Sequence, residues 1–207
     1  DPPFKKQGLG KFEAELTRYA RNPFSDKIIK KITAERDIET NAPNDKKDFH
    51  PNGSGATNII ELFLNDSKYP RDLVDNNLLA DLNKIVSPDV FFESITVRRV
   101  ENGNWEIFLK EKDKGLIPLS DSGSGLKTIL LVLINIILIP KKEGNSLSRY
   151  IFVFEELENN LHPAIQRKLL TYIRDISIHN RATFFITTHS NVVIDLFSKD
   201  KNAQICH

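Results

Sequence analysis

Two short segments of this chain combine apolar runs with reactive ends. Tyr150–Phe154 is apolar throughout and closes on Glu155-Glu156, and Phe184–Ile186 closes on Thr187-Thr188-His189-Ser190. Such runs read as buried strands, and an open parallel sheet gathers its chemistry at the carboxyl ends of its strands. If the two strands are neighbours, two carboxylates and an imidazole meet at one edge. That set suits nucleotide hydrolysis: one carboxylate holds Mg²⁺ through its water shell, and the other positions and deprotonates water. The histidine can donate to a γ-phosphate. Taken alone, each residue is better explained as a strand end or a helix cap. Their joint placement favours a phosphate site.

A third segment, Ser120–Lys127 (SDSGSGLK), has the look of a phosphate-gripping P-loop but not its spacing. That loop ends Gly-Lys-Ser/Thr, whereas Leu126 separates Gly125 from Lys127 and Ser120 stands where the first glycine belongs. An apolar helix follows at once, so a flexible linker does not fit either. The better reading is a turn whose backbone N–H groups open a helix and face an anion. The one Gly-Lys pair, Gly10-Lys11, is followed by Phe12, with Lys5 five positions before Gly10, so no P-loop is present. The chain has no methionine and opens DPPF, which reads as an internal piece of a longer polypeptide. The missing loop is expected upstream.

Other elements must position these three segments. Lys27–Ile38 is the first expected strand and Asn41–Gly55 a loop. Apolar residues at helical spacing place helices at Ala56–Asp66 and Arg71–Val86. Ser94–Val100 and Asn104–Glu111 flank Glu101-Asn102-Gly103, which predicts a hairpin with a type I′ turn and Trp105, Ile107 and Leu109 on the buried face. The next helix spans Leu126–Ile139 and ends at Pro140. Arg149–Glu156 is a buried parallel strand, and His162–Asn180 a helix with Pro163 in its first turn. Its Ile165, Leu169, Leu170, Ile173 and Ile176 face a sheet. Ala182–Ser190 is a second buried strand, and Asn191–Phe197 a short helix. Strand and helix alternate in the manner of a parallel sheet covered by helices.

Composition excludes more than it selects. The 207 residues are 40% hydrophobic and 28% charged, with 29 Lys and Arg against 28 Asp and Glu. This is an ordinary globular balance that neither points to nucleic acid nor excludes it. Cys206 is the only cysteine, which rules out a disulfide framework and fits a reducing cytoplasm. The apolar run Ile129–Ile139 is too short to span a bilayer and contains Asn135, so it reads as a core helix.

These motifs also carry a resemblance. YIFVFEELENNLHPAIQRKLL (Tyr150–Leu170) resembles the Walker B segment of ABC-type ATPases, above all in the overcoming-lysogenization-defect (OLD) family. That family reads apolar strand, Glu-Glu-Pro-Glu-Asn, then Leu-His-Pro; Leu157 departs from it where proline is commoner. FFITTHSNVVID (Phe184–Asp195) is similar to its switch-histidine strand, and LSDSGSGLKTILLVL (Leu119–Leu133) to its signature loop. ITAERDI (Ile32–Ile38) and GSGATNIIELFLND (Gly53–Asp66) sit where it carries an Arg-containing strand and a helix.

The resemblance implies an ABC-ATPase-like α/β fold of the P-loop NTPase class: a mostly parallel sheet with helices on both faces and an antiparallel hairpin side layer. It implies three parts, 1–55, 56–118 and 119–207, the last holding the ATPase core. Glu155 would be the Mg²⁺ residue, Glu156 the general base and His189 the switch histidine. Ser122, Gly123, Ser124 and Gly125 would form the signature turn, reaching the γ-phosphate of ATP bound on another subunit. Asn159 and Asn160 would lie in the D-loop, between the nucleotides of a head-to-tail dimer. His162 and Gln166 also match, but read as helix capping and surface packing. The implied function is ATP-controlled DNA processing in bacterial anti-phage defence, in the cytoplasm, with DNA reached through the full-length protein and no membrane. A non-hydrolysing oligomerisation scaffold and an SMC-like repair ATPase are the alternatives.

Overall fold

β5 (Tyr150–Glu155) is the central strand of a parallel sheet, held between β1 (Ile28–Ile32) and β6 (Thr183–Thr187). The computed structural model describes residues 24–43, 48–112 and 114–206. A second sheet is antiparallel, in the order β2 (Phe92–Arg99), β3 (Trp105–Glu111), β4 (Gly115–Pro118). The helices are α1 (Ala56–Asn65), α2 (Leu79–Val86), which continues a π-helical segment Leu73–Leu78, α3 (Ser124–Leu133), α4 (Ile139–Glu143), α5 (Pro163–Asn180) and α6 (Asn191–Phe197). The mixed α/β class expected from the sequence is the one observed: a parallel sheet, helices, and an antiparallel side layer.

Alternation along β5 sets the core. Tyr150, Phe152 and Phe154 share one face of the pleat and are each 0% exposed. Phe152 stacks on Phe184 at a centroid distance of 4.9 Å and on Tyr150 at 5.6 Å. Leu130, Leu131, Val132, Leu133 and Ile134 are completely buried as well. One hydrophobic cluster joins them to Ile59, Ile60 and Phe63 of α1, Leu82 of α2 and Leu169 and Ile173 of α5.

Four expectations change on folding. The first strand stops at Ile32, because the N–H groups of Thr33 and Asp37 turn away to Pro51 and Asn52 carbonyls, 3.1 and 2.9 Å off. The hairpin turn is not type I′. Gly103 alone of the Asn-Gly pair has positive φ (80°), and its N–H donates to the Val100 carbonyl at 2.8 Å. This is the three-residue loop in which a glycine in the left-handed region follows an ordinary turn. β6 is not a buried strand: it is an edge among the described strands, and Phe185 is 55% exposed.

The fourth change concerns Pro140, which does not end its helix. Helical structure passes from α3 through a π-helical stretch, Ile134–Leu138, into α4, and stops at Gly144 with φ 66°. Proline has no N–H to donate and crowds the carbonyl of the preceding turn. The wider π turn just before it relieves both conflicts. Asn135 lies in that turn and donates its side-chain amide to the Leu131 carbonyl at 3.0 Å. The resulting helix Ser124–Glu143, 20 residues long, holds an 18-residue window of mean hydropathy 1.7, so by length and composition it is able to cross a membrane, yet 72% of that window is buried within the protein. It serves as the core helix.

The two faces of the parallel sheet should differ sharply in mutational cost. Phe152→Ala should lower stability by about 3–5 kcal/mol, as large-to-small core changes do. Phe185→Ala, on the exposed face, should stay within about 0.5 kcal/mol. Urea unfolding midpoints measure both.

Candidate functional site

The register of β5 against β6 places Glu155 opposite Thr187. Pairing extends one residue further, with the Glu156 N–H donating to the Thr187 carbonyl at 2.9 Å. Glu156 then takes a left-handed backbone, φ 46°, and the chain swings out of the sheet. The two acids diverge. Glu155 turns to β1: one oxygen lies 2.6 Å from Lys31 Nζ, and the other accepts the Ala34 N–H at 3.1 Å. The Lys31 ammonium first, and that N–H second, hold its carboxyl below the usual carboxylate range. Glu156 turns to the β6 side, where Oε2 accepts Asn159 Nδ2 at 2.8 Å and Oε1 lies 3.8 Å from His189 Nε2. The His189 ring is 90% exposed and free to meet a ligand.

The segment after β6 is fastened by Glu158, which sequence reasoning did not single out, and by Gln166. Glu158 Oε1 accepts both the Thr188 hydroxyl, at 2.6 Å, and the His189 N–H, at 2.8 Å. Its Oε2 is buried without a hydrogen-bond partner. Gln166 is also buried, which corrects the expectation of surface packing. Its amide donates to the Leu161 carbonyl at 2.9 Å and accepts from Ser190 Oγ at 2.9 Å. His162 does cap α5, its Nδ1 accepting the Ala164 N–H at 3.3 Å. The signal for Glu158 lay three residues beyond Glu155, but nothing local separates it from an exposed turn acid.

Ser122–Gly125 enter α3 with Gly123 at the N-cap and Ser124 as the first helical residue. A helix leaves its first N–H groups without intrahelical partners, so Ser124 and Gly125 present donors there. The two glycines differ. A Cβ on Gly125 would fall 2.7 Å from the Asn160 carbonyl oxygen and 2.9 Å from Leu161 Cδ2, whereas one on Gly123 meets nothing within 4 Å. The turn Ser122–Gly125 therefore rests directly on the Asn160-Leu161 segment of its own chain. Lys127, which gave the stretch its P-loop look, is 12% exposed and pairs with Asp37 at 2.8 Å.

Arg36 joins these parts. Its Nε donates to Thr128 Oγ1 at 3.0 Å, Nη1 to the Glu155 carbonyl at 2.7 Å and Nη2 to the Glu156 carbonyl at 2.9 Å. Burial pulls the guanidinium pKa down, and the carboxylates of Glu158, Glu156 and Glu155 pull it back up. A cavity of about 560 Å³ lined by Asp81, Pro140, Tyr172 and Asn180 shares no residue with this site and holds none of its acids.

The donor set fits Mg²⁺. Among the described residues no three His, Cys, Asp or Glu side chains form a metal cage. Mg²⁺ does not need one: it takes one or two carboxylates and completes its shell with water and phosphate oxygens. Glu155, kept ionised at the strand end, is the hard oxygen donor available, with Glu156 adjacent.

The Glu155–Lys31 pair has a measurable signature. Lys31→Met should move the Glu155 pKa back up toward the ordinary carboxylate value, read by carboxyl ¹³C NMR titration. Because the folded pKa is depressed, the pair stabilises the fold above the unfolded pKa. That contribution disappears as pH falls through the folded pKa, and in Lys31→Met it should be absent throughout.

Solved structures that match include a chain described under ATP-driven dimerization and DNA-stimulated activation of SMC ATPases (18% identity, TM-score 0.45, covering 66% of this chain and 77% of that one). The Smc head domain of Pyrococcus furiosus, with an extended coiled coil and bound to the C-terminal domain of ScpA, matches at 17% identity and TM-score 0.45, over 61% of this chain and 30% of that one. The SMC head domain of Thermotoga maritima matches at 15% and 0.40, over 68% and 44%. No curated protein sequence matches. The family profile of the AAA ATPase domain matches residues 15–194, most of the chain. The chain belongs to the AAA ATPase domain family.

Proposed function

We propose that this chain carries the hydrolytic half of an ATP site of the ABC type, in an OLD-like protein that works as a head-to-tail oligomer. The observation that carries this reading is the meeting of Glu155-Glu156 at the end of β5 with the His189 segment at the end of β6. In it, Glu156 takes a proton from the attacking water, and its Asn159 bond and the nearby His189 keep it oriented. Glu155 would hold Mg²⁺ through the ion's water shell, and the ion would supply charge neutralisation at the phosphate oxygens. In this reading His189, whose ring lies in solvent, donates to a γ-phosphate oxygen.

The turn Ser122–Gly125 serves the nucleotide of a second subunit in this proposal. Its N–H donors are not needed by the helix and sit beside Asn160, which in the same reading lies between two nucleotides. Control of DNA processing in anti-phage defence is supported by the sequence resemblance to the OLD family, and DNA engagement belongs to the full-length protein.

Two experiments on the full-length protein test the reading. Glu156→Gln should reduce ATP turnover by about 10²–10⁴-fold, with equilibrium ATP binding retained. Unchanged turnover would sink the assignment of the base, and undetectable ATP affinity in the parent protein would favour a non-hydrolysing scaffold. Gly123→Val is the cleaner probe of the turn, since Gly125 has no room for a side chain within its own subunit. It should abolish concentration-dependent hydrolysis while single-subunit ATP binding stays near normal; loss of binding would instead return the stretch to a P-loop role.

A further inference from the structure

We propose that Arg36 is a positioning residue that couples the first turns of α3 to the turn carrying Glu155 and Glu156. The inference rests on the ATP-hydrolysis reading above and deepens it. Two further contacts complete the guanidinium's set of partners, Nη1 reaching the Thr33 carbonyl at 2.9 Å and the Ala34 carbonyl at 3.3 Å. All three nitrogens are thus used, and the acceptors come from three separate places: the end of β1, the end of β5 and the side of α3. A guanidinium can do this because its five donors lie in one rigid plane; an ammonium cannot span the same set.

What the fork grips is informative. The Glu155 and Glu156 carbonyls are consecutive, and Arg36 holds both at the point where Glu156 enters a left-handed backbone. A residue with a side chain stays in that region only when its surroundings hold it there. The direction of the Glu156 carboxylate follows from that backbone. On the other side, Thr128 lies one turn beyond Ser124, so its bond to Arg36 ties the γ-phosphate-reading turn to the same guanidinium. The neighbouring pair Asp37–Lys127 is a second tie between the same two segments. A small displacement of α3 therefore reaches the carbonyl of the base without crossing the nucleotide.

Protein acceptors engage every nitrogen of the Arg36 guanidinium, so its effect falls on turnover and spares affinity. Misplacement of a reacting group by about 1 Å costs about 10²-fold in rate. The test compares Arg36→Lys, Thr128→Val and the double variant in the full-length protein. Arg36→Lys should lower kcat by about 10²-fold with KM and equilibrium ATP affinity nearly unchanged. Thr128→Val, which removes one acceptor and keeps the side-chain shape, should lower it less. The double variant should be no slower than Arg36→Lys, because the bond is already lost.

Hydrogen–deuterium exchange supplies a readout that does not need turnover. The amides of Glu156, Asn159 and Leu161 should exchange faster in Arg36→Lys and in Thr128→Val than in the parent. If ATP is not hydrolysed by the parent, the hydrolysis reading fails, and this exchange comparison still decides the coupling. Parent-like kcat in Arg36→Lys, multiplicative effects in the double variant, or parent-like exchange in both single variants would each overturn the proposal. Should Arg36→Lys fail to fold, Thr128→Val carries the same test through kcat and exchange.

Discussion

β5 is hydrogen-bonded along both edges, to β1 from Ile28↔Tyr150 through Ile32↔Phe154 and to β6 from Ile151↔Thr183 through Glu155↔Thr187. Parallel pairing on both sides leaves its last residues no freedom of register. A slip of one residue would put Tyr150, Phe152 and Phe154 on the opposite face and the aliphatic Ile151 and Val153 into the aromatic stack. The core therefore fixes where the acids emerge. Everything at the candidate site is built outward from that one strand end.

The charge arrangement there follows from the same constraint. Three carboxylates, Glu155, Glu156 and Glu158, leave the sheet within four residues of one another. Their mutual repulsion is relieved by separation and by cations in fixed places. Lys31 takes Glu155 toward β1, Glu158 turns its oxygen to the Thr188 hydroxyl and the His189 N–H, and Arg36 sits among all three. Arg36 donates to backbone carbonyls and one hydroxyl, none of them charged, so its charge is balanced through space. This leaves the side-chain oxygens of Glu156 with only an amide and a solvent-exposed imidazole nearby. Of the acids here, Glu156 is the one whose carboxylate is least committed to the protein.

Much of the fold could be read directly. The aromatic run of β5, the amphipathic α5 with Pro163 in its first turn and the hairpin all occur where periodicity placed them. Local rules failed where a neighbour supplied what the rule assumed to be missing. Pro140 breaks an isolated helix, but the π turn before it let the helix continue. Asn102-Gly103 favours a type I′ turn in isolation, yet the hairpin chose a three-residue loop. Phe184–Ile186 reads as fully buried, but one face of this strand, an edge among the described strands, is left in solvent, with Phe185 on it.

At the site, sequence alone determined which residue types end β5 and β6 and that a glycine-serine turn opens the core helix, because these are properties of order and spacing. It could not rank Arg36 or Glu158 above other polar residues, and Gln166 read as surface packing. Their partners are distant in the chain, 92 positions from Arg36 to Thr128 and 30 from Glu158 to Thr188. A hydrogen bond across such a span exists only once strand register and helix docking bring donor and acceptor together. Tertiary structure also decided the fate of Lys127: its charge went to Asp37, so the apparent P-loop lysine became a bracket between α3 and the segment after β1.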